Sequence, residues 1–123
     1  MLFSLKVVSV ALLAATIVVV SNPLRRPADV IKRDIIRLTP IGSSMEDVVK
    51  VIESKEKWEA PRISHKYGYS IPYTTDPDVG EKSIRVFIGE YRNIFVTSVT
   101  VYWGFDGDEK LIDVYIWKDK DVF

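Results

Sequence analysis

Nineteen residues at the start of the chain restrict its fate more than anything that follows. Leu2 to Val20 is apolar apart from Ser4, Lys6, Ser9 and Thr16. A helix built from these residues has no polar stripe to turn to water, so it does not lie on the surface of a small soluble domain. Two readings fit. Lys6 and the terminal amine form a positive n-region, Val7 to Val20 an h-region, and Val19-Val20-Ser21 a cleavage region, which together make a secretory signal peptide. The same residues are also just long enough to span a bilayer as an uncleaved anchor, with Lys6 snorkelling to the interface. Residues 1–21 are therefore read as signal peptide or membrane anchor.

The flanking charges pull topology two ways. Arg25, Arg26, Lys32, Arg33 and Arg37 follow the segment, and a literal positive-inside rule keeps the domain in the cytoplasm. A very short, positive N-terminal tail is instead the usual arrangement for sending the C-terminal part across, and Asp29 and Asp34 dilute the basic cluster. The expectation is a membrane-associated or secreted protein with an extracytoplasmic domain. Arg25 and Arg26 would meet lipid headgroups if the anchor is retained.

Residues 22–27, with two prolines and two arginines, read as a linker, and 28–123 as one small domain. Seventeen basic residues balance seventeen acidic ones, so no net field favours nucleic acid. The absence of cysteine excludes disulfides, thiolate zinc sites and cysteine nucleophiles.

Within the domain, Ile31, Ile35 and Leu38 recur at helical spacing with Val30 alongside, which predicts a helix over 28–38. Pro40 and Gly42 break it. Ser43 with Glu46, or Ser44 with Asp47, then opens a second helix whose Met45, Val48, Val49 and Ile52 form one apolar stripe. After Pro61 the period changes to two. Arg62 to Ser70 alternates loosely, Pro72 to Gly80 is rich in turn residues, and Ile84, Val86 and Ile88 share a face of the next strand. Val99, Val101, Trp103 and Phe105 lead through Asp106-Gly107-Asp108-Glu109 to Ile112, Val114 and Ile116, a hairpin with one apolar face. The expected fold is α+β, with two N-terminal helices on one face of a three- to four-stranded antiparallel sheet.

Alternation then places Phe87, Tyr91, Tyr102, Tyr115 and Trp117 on the opposite face. Core burial on one side cannot hold both sets, so these five are the candidate partner-binding residues unless the Pro72–Gly80 loop or the C-terminal tail covers them. Trp58 and Trp103 stand among apolar neighbours and are expected in the core.

The apolar N-terminus, the stretch Pro40-Ile41-Gly42-Ser43-Ser44 leading into Met45-Glu46-Asp47-Val48-Val49, and the hairpin Val101-Tyr102-Trp103-Gly104-Phe105-Asp106-Gly107 to Leu111-Ile112-Asp113-Val114 resemble the SmpA/OmlA (BamE-like) domains. The likeness spans roughly residues 39–118 and implies a small extracytoplasmic two-helix, three-strand domain used for protein contacts rather than catalysis. The lipid-modified cysteine of the family's outer-membrane members has no counterpart here.

Other chemistry is sparse. His65, the only histidine, is the sole candidate base for a small hydrolase, and no nucleophile-elbow glycine pattern accompanies it. Asp106, Asp108 and Asp113 cluster near one turn without the ladder of a calcium loop, so turn chemistry explains them. No cofactor, metal or catalytic site is expected. The functional expectation is a non-catalytic interaction module of the cell envelope with a protein partner and, through residues 2–20, the membrane. A membrane-held inhibitor or immunity-type protein, and a hydrolase using His65, are the alternatives.

Overall fold

A proline at the start and a hydroxyl at the end bracket the first helix. In the computed structural model, which describes residues 22–121, α1 runs over Ala28–Leu38 directly after Pro27. Ile31 and Ile35 point into the core, while Leu38, expected on the same stripe, is largely exposed because the helix ends there. The second helix, α2 (Met45–Glu53), is capped by Ser44, whose hydroxyl accepts the Asp47 N–H at 3.1 Å. Ser43 instead turns its hydroxyl back to the Pro40 carbonyl. Glu46 and Asp47 in the first turn suit the positive end of the helix dipole. The apolar segment expected over 1–21 lies outside the described residues, and no helix among those described is long and apolar enough to cross a membrane.

Four strands follow: β1 (Arg62–Ser64), β2 (Lys82–Arg92), β3 (Val96–Phe105) and β4 (Leu111–Asp121). They pair in chain order as an antiparallel meander with β1 and β4 at the edges. One face carries Ile84, Val86 and Ile88 from β2, Val99, Val101, Trp103 and Phe105 from β3, and Leu111, Val114 and Ile116 from β4. These join Ile31 and Ile35 of α1 and Met45, Val48 and Ile52 of α2 in one core, so both helices cover the same side of the sheet.

Two bulges alter the expected alternation. Near the β3–β4 turn, Phe105 pairs with Leu111 but Gly104 pairs with Asp113, leaving Ile112 as the extra residue. Ile112 therefore faces solvent, and Leu111 takes the core position expected for it. The turn explains the offset. The Asp106 carboxylate accepts the N–H groups of Asp108 and Lys110, both at 2.9 Å, and Glu109 adopts a left-handed φ of 61°. The second bulge lies in β2, where Phe87 pairs with Thr100 but Gly89 with Val99. Gly89 has φ of 142°, and a Cβ there would lie 2.7 Å from the Leu24 side chain.

Leu24 belongs to the stretch expected to be a linker, and that stretch is docked. Asn22 caps a 3-10 turn over Pro23–Arg25 through a 2.9 Å bond from the Leu24 N–H. The Arg25 guanidinium donates to the Asn93 side chain and, at 2.7 Å, to the Arg92 carbonyl, and lies 5.2 Å from the Tyr91 ring centroid. Lys118 approaches the same ring at 5.0 Å and donates to the Arg26 carbonyl. Arg26 pairs with Asp34. Both arginines expected to reach headgroups are thus engaged within the domain.

At the centre, Trp103 is fully buried and packs against Trp58, with ring centroids 6.2 Å apart. Its indole N–H donates to the buried Thr39 hydroxyl at 3.0 Å, and that hydroxyl donates to the Ile35 carbonyl at 2.7 Å. A buried N–H without an acceptor costs about 1–3 kcal/mol. Replacing Thr39 by valine, which keeps shape and removes the acceptor, should lower unfolding free energy by about that amount in urea titration. Thr39→Ser should recover most of it. Equal losses in both variants would mean the methyl group, not the hydroxyl, matters.

Candidate partner-binding face

Away from the helices, the register sets three cross-strand rows side by side. Arg62, Arg85, Tyr102 and Tyr115 form one, each opposite the next on neighbouring strands. Phe87, Thr100 and Trp117 form the second. Ser64, Ser83, Gly104 and Asp113 form the third. Because directly opposed residues share a face, four of the five candidates, Phe87, Tyr102, Tyr115 and Trp117, lie together.

Tyr91 does not. The bulge before Gly89 reverses parity for the end of β2, so Tyr91 pairs with Thr97 and turns to the helix face. There it packs against the core and lies between Arg25 and Lys118. Tyr91, expected beside Phe87, therefore lies on the other side of the sheet from it. Gly89 within an otherwise alternating run was the local mark of that reversal.

One residue of this face escaped sequence reasoning. Tyr69, from the loop between β1 and β2, is only 4% exposed and lies over the sheet. Its ring centroid sits 5.7 Å from Tyr102 and 6.3 Å from Tyr115, nearly parallel to the latter at 22°. The loop is held by reciprocal backbone bonds between Tyr69 and Val79 and by Ser70 donating to Asp78 at 2.6 Å. Gly104 makes room for the ring, since a Cβ there would lie 2.9 Å from Tyr69 Cε1. Two glycines at positions where strand and loop meet, Gly68 and Gly104, were the available signal; Gly68 likewise abuts the Val79 carbonyl. The cover comes chiefly from Tyr69, ahead of the Pro72–Gly80 stretch expected to supply it, and it is partial. It closes over Tyr102 and leaves the second row accessible.

That accessible part is a groove of about 310 Å³ lined by Phe87, Thr100, Tyr102 and Trp117, with Glu59, Ala60, Arg62 and Arg85 at its rim. Trp117 leans on Tyr102 at 6.4 Å between centroids. The Glu59 N–H donates to the Phe87 carbonyl, which extends the edge of β2 beyond β1. Arg62 and Arg85 are directly opposed and exposed, and neither makes an ion pair among the described residues. Like charges in this position repel, so the arrangement costs stability where it stands.

The remaining sequence candidates lie elsewhere. His65 is exposed just beyond the edge strand β1 and makes no hydrogen bond or ion pair among the described residues. Asp106 is occupied by its turn, and Asp113 pairs with Lys32 at 3.1 Å. A wider cleft of about 860 Å³ opens on the helix side between Leu24, Ile35, Trp58 and Ile88. No family model, no curated protein and no solved structure matches this chain.

Burial, with Asp113 and Tyr115 nearby, raises the Tyr69 phenol well above its ordinary ionisation range. The folded state then holds this proton where the unfolded chain, near pH 10, releases it. Stability tied to Tyr69 is complete below about pH 10 and is lost as pH climbs above it. Urea midpoints on either side of that pH should fall less steeply for Tyr69→Phe than for the native protein. Parallel slopes would mean that the phenol ionises freely in the fold.

Proposed function

We propose that the chain is a non-catalytic interaction module, membrane-anchored or secreted, whose aromatic sheet face takes an acidic, extended segment of a protein partner. The observation that carries this reading is the pair Arg62 and Arg85, held opposite each other beside Phe87, Tyr102 and Trp117. A fold that only needed a stable sheet would gain by an opposite-charge pair there. Two guanidinium forks at the rim of an aromatic floor match carboxylates and apolar side chains alternating along a strand. Glu59, the single acid at the rim, leaves a net positive lip.

The resemblance to SmpA/OmlA domains supports the same use, since those are small extracytoplasmic domains employed for protein contacts. So does the order of two helices followed by an antiparallel sheet. Residues 1–21 would deliver the domain across the membrane or hold it there as an apolar helix.

The reading is tested with a panel of immobilised acidic, neutral and basic peptides carrying aromatic residues. The native protein should retain acidic members, and Arg85→Glu should lose them. The same substitution converts a repelling pair into an attracting one, so stability should hold or rise, by roughly 0.2–1 kcal/mol. Trp117→Ala should weaken binding by several-fold. Retention that ignores peptide charge, or survives Arg85→Glu, rejects the acidic-segment reading.

A further inference from the structure

The far end of the sheet, away from the β3–β4 turn, combines three features. The β2–β3 hairpin is closed by a tight turn in which the Asn93 N–H donates to the Phe95 carbonyl at 3.0 Å. Ile94 is 87% exposed at its tip and Phe95 39%. Arg25, Arg92, Lys118 and Lys120 lie at this end with Glu90, Asp119 and Asp121 interspersed, while Arg26 is neutralised by Asp34. A large apolar pair on a turn, with a slight excess of positive charge around it, is costly in water and suited to an interface that is apolar inside and anionic at its surface.

The path of the chain specifies which interface. Val20 and Asn22 are two residues apart, a reach of at most about 7 Å when fully extended. Asn22 caps the turn whose Arg25 is bonded to Asn93 and to the Arg92 carbonyl, on the two residues that precede Ile94. In sequence, only Ser21 separates the apolar segment from this docked turn. We infer that the Ile94–Phe95 tip rests in the headgroup layer of an anionic bilayer, as a second membrane contact beside the N-terminal segment. The inference rests on the anchored form of the proposed function. It places β3 across the gap between membrane and solvent, with the Asp106–Lys110 turn about 30 Å away at the other end.

The absence of native cysteine makes single-site labelling direct. The full chain carrying a nitroxide at Ile94→Cys, Asp108→Cys or Ala14→Cys would be reconstituted in vesicles of three parts phosphatidylcholine to one part phosphatidylglycerol. Accessibility to oxygen and to a water-soluble nickel chelate is then read by electron paramagnetic resonance. Urea midpoints matching the unlabelled protein confirm that each variant folds. The expected result is a several-fold loss of nickel accessibility at 94 relative to 108, with oxygen accessibility retained, and a lipid-buried signal at 14. Nickel accessibility at 94 equal to that at 108, with 14 buried, overturns the tip contact and leaves the anchor standing. Protection of 94 from both reagents assigns the tip to a protein contact and also overturns it. A nickel-accessible label at 14, or failure of the protein to float with the vesicles, removes the anchor and this inference with it.

Discussion

Everything in this domain hangs on a buried relay from Trp103 through the Thr39 hydroxyl to the Ile35 carbonyl. A tryptophan in the middle strand of a small sheet is a large gain in buried area, but its N–H must find an acceptor in a place without water. The acceptor here is the residue that ends α1, so a single hydroxyl both closes the helix and satisfies the ring. That bond, together with Ile31 and Ile35 in the core and the Lys32–Asp113 pair, holds α1 over the sheet. With α1 set, the docked turn before it, the Trp58 contact and the covering of β4 fall into place.

The helix side being closed in this way, the other side of the sheet is left to other uses. Among the described residues no second layer of helices covers this four-stranded meander, and the loop between β1 and β2 supplies one aromatic lid. The uncovered remainder is not smoothed into a polar surface. It keeps Phe87 and Trp117 accessible and sets two arginines against each other, an arrangement with a cost in isolation and a rationale in contact with something acidic.

How much of this could be read from the residues depends on the distance over which each signal acts. The helices were legible because apolar spacing and a serine cap lie within a few residues of each other, as at Ser44 and Asp47. The β3–β4 hairpin was legible because Asp106 and Gly107 announce a turn between two alternating runs. Alternation fails where one residue is inserted. The offset at Ile112 exchanged it with Leu111, and the one before Gly89 moved Tyr91 to the other face. Neither Tyr69 over Tyr115 nor Arg62 opposite Arg85 has a local signature, because each is created by pairing between segments far apart in the chain. The α+β class and helix layer were therefore legible, and four of five face residues, while the lid and the charged rim were not.

The docking of residues 22–26 has a mechanical side. A tether normally takes up strain by straightening before any folded part is loaded. Here a pull applied at Asn22 meets no slack, because Arg25 is clamped to Asn93 and the Arg92 carbonyl and Leu24 is seated on Gly89. The load passes into the β2–β3 hairpin through the Arg25 bonds and into the edge of the core through Leu24.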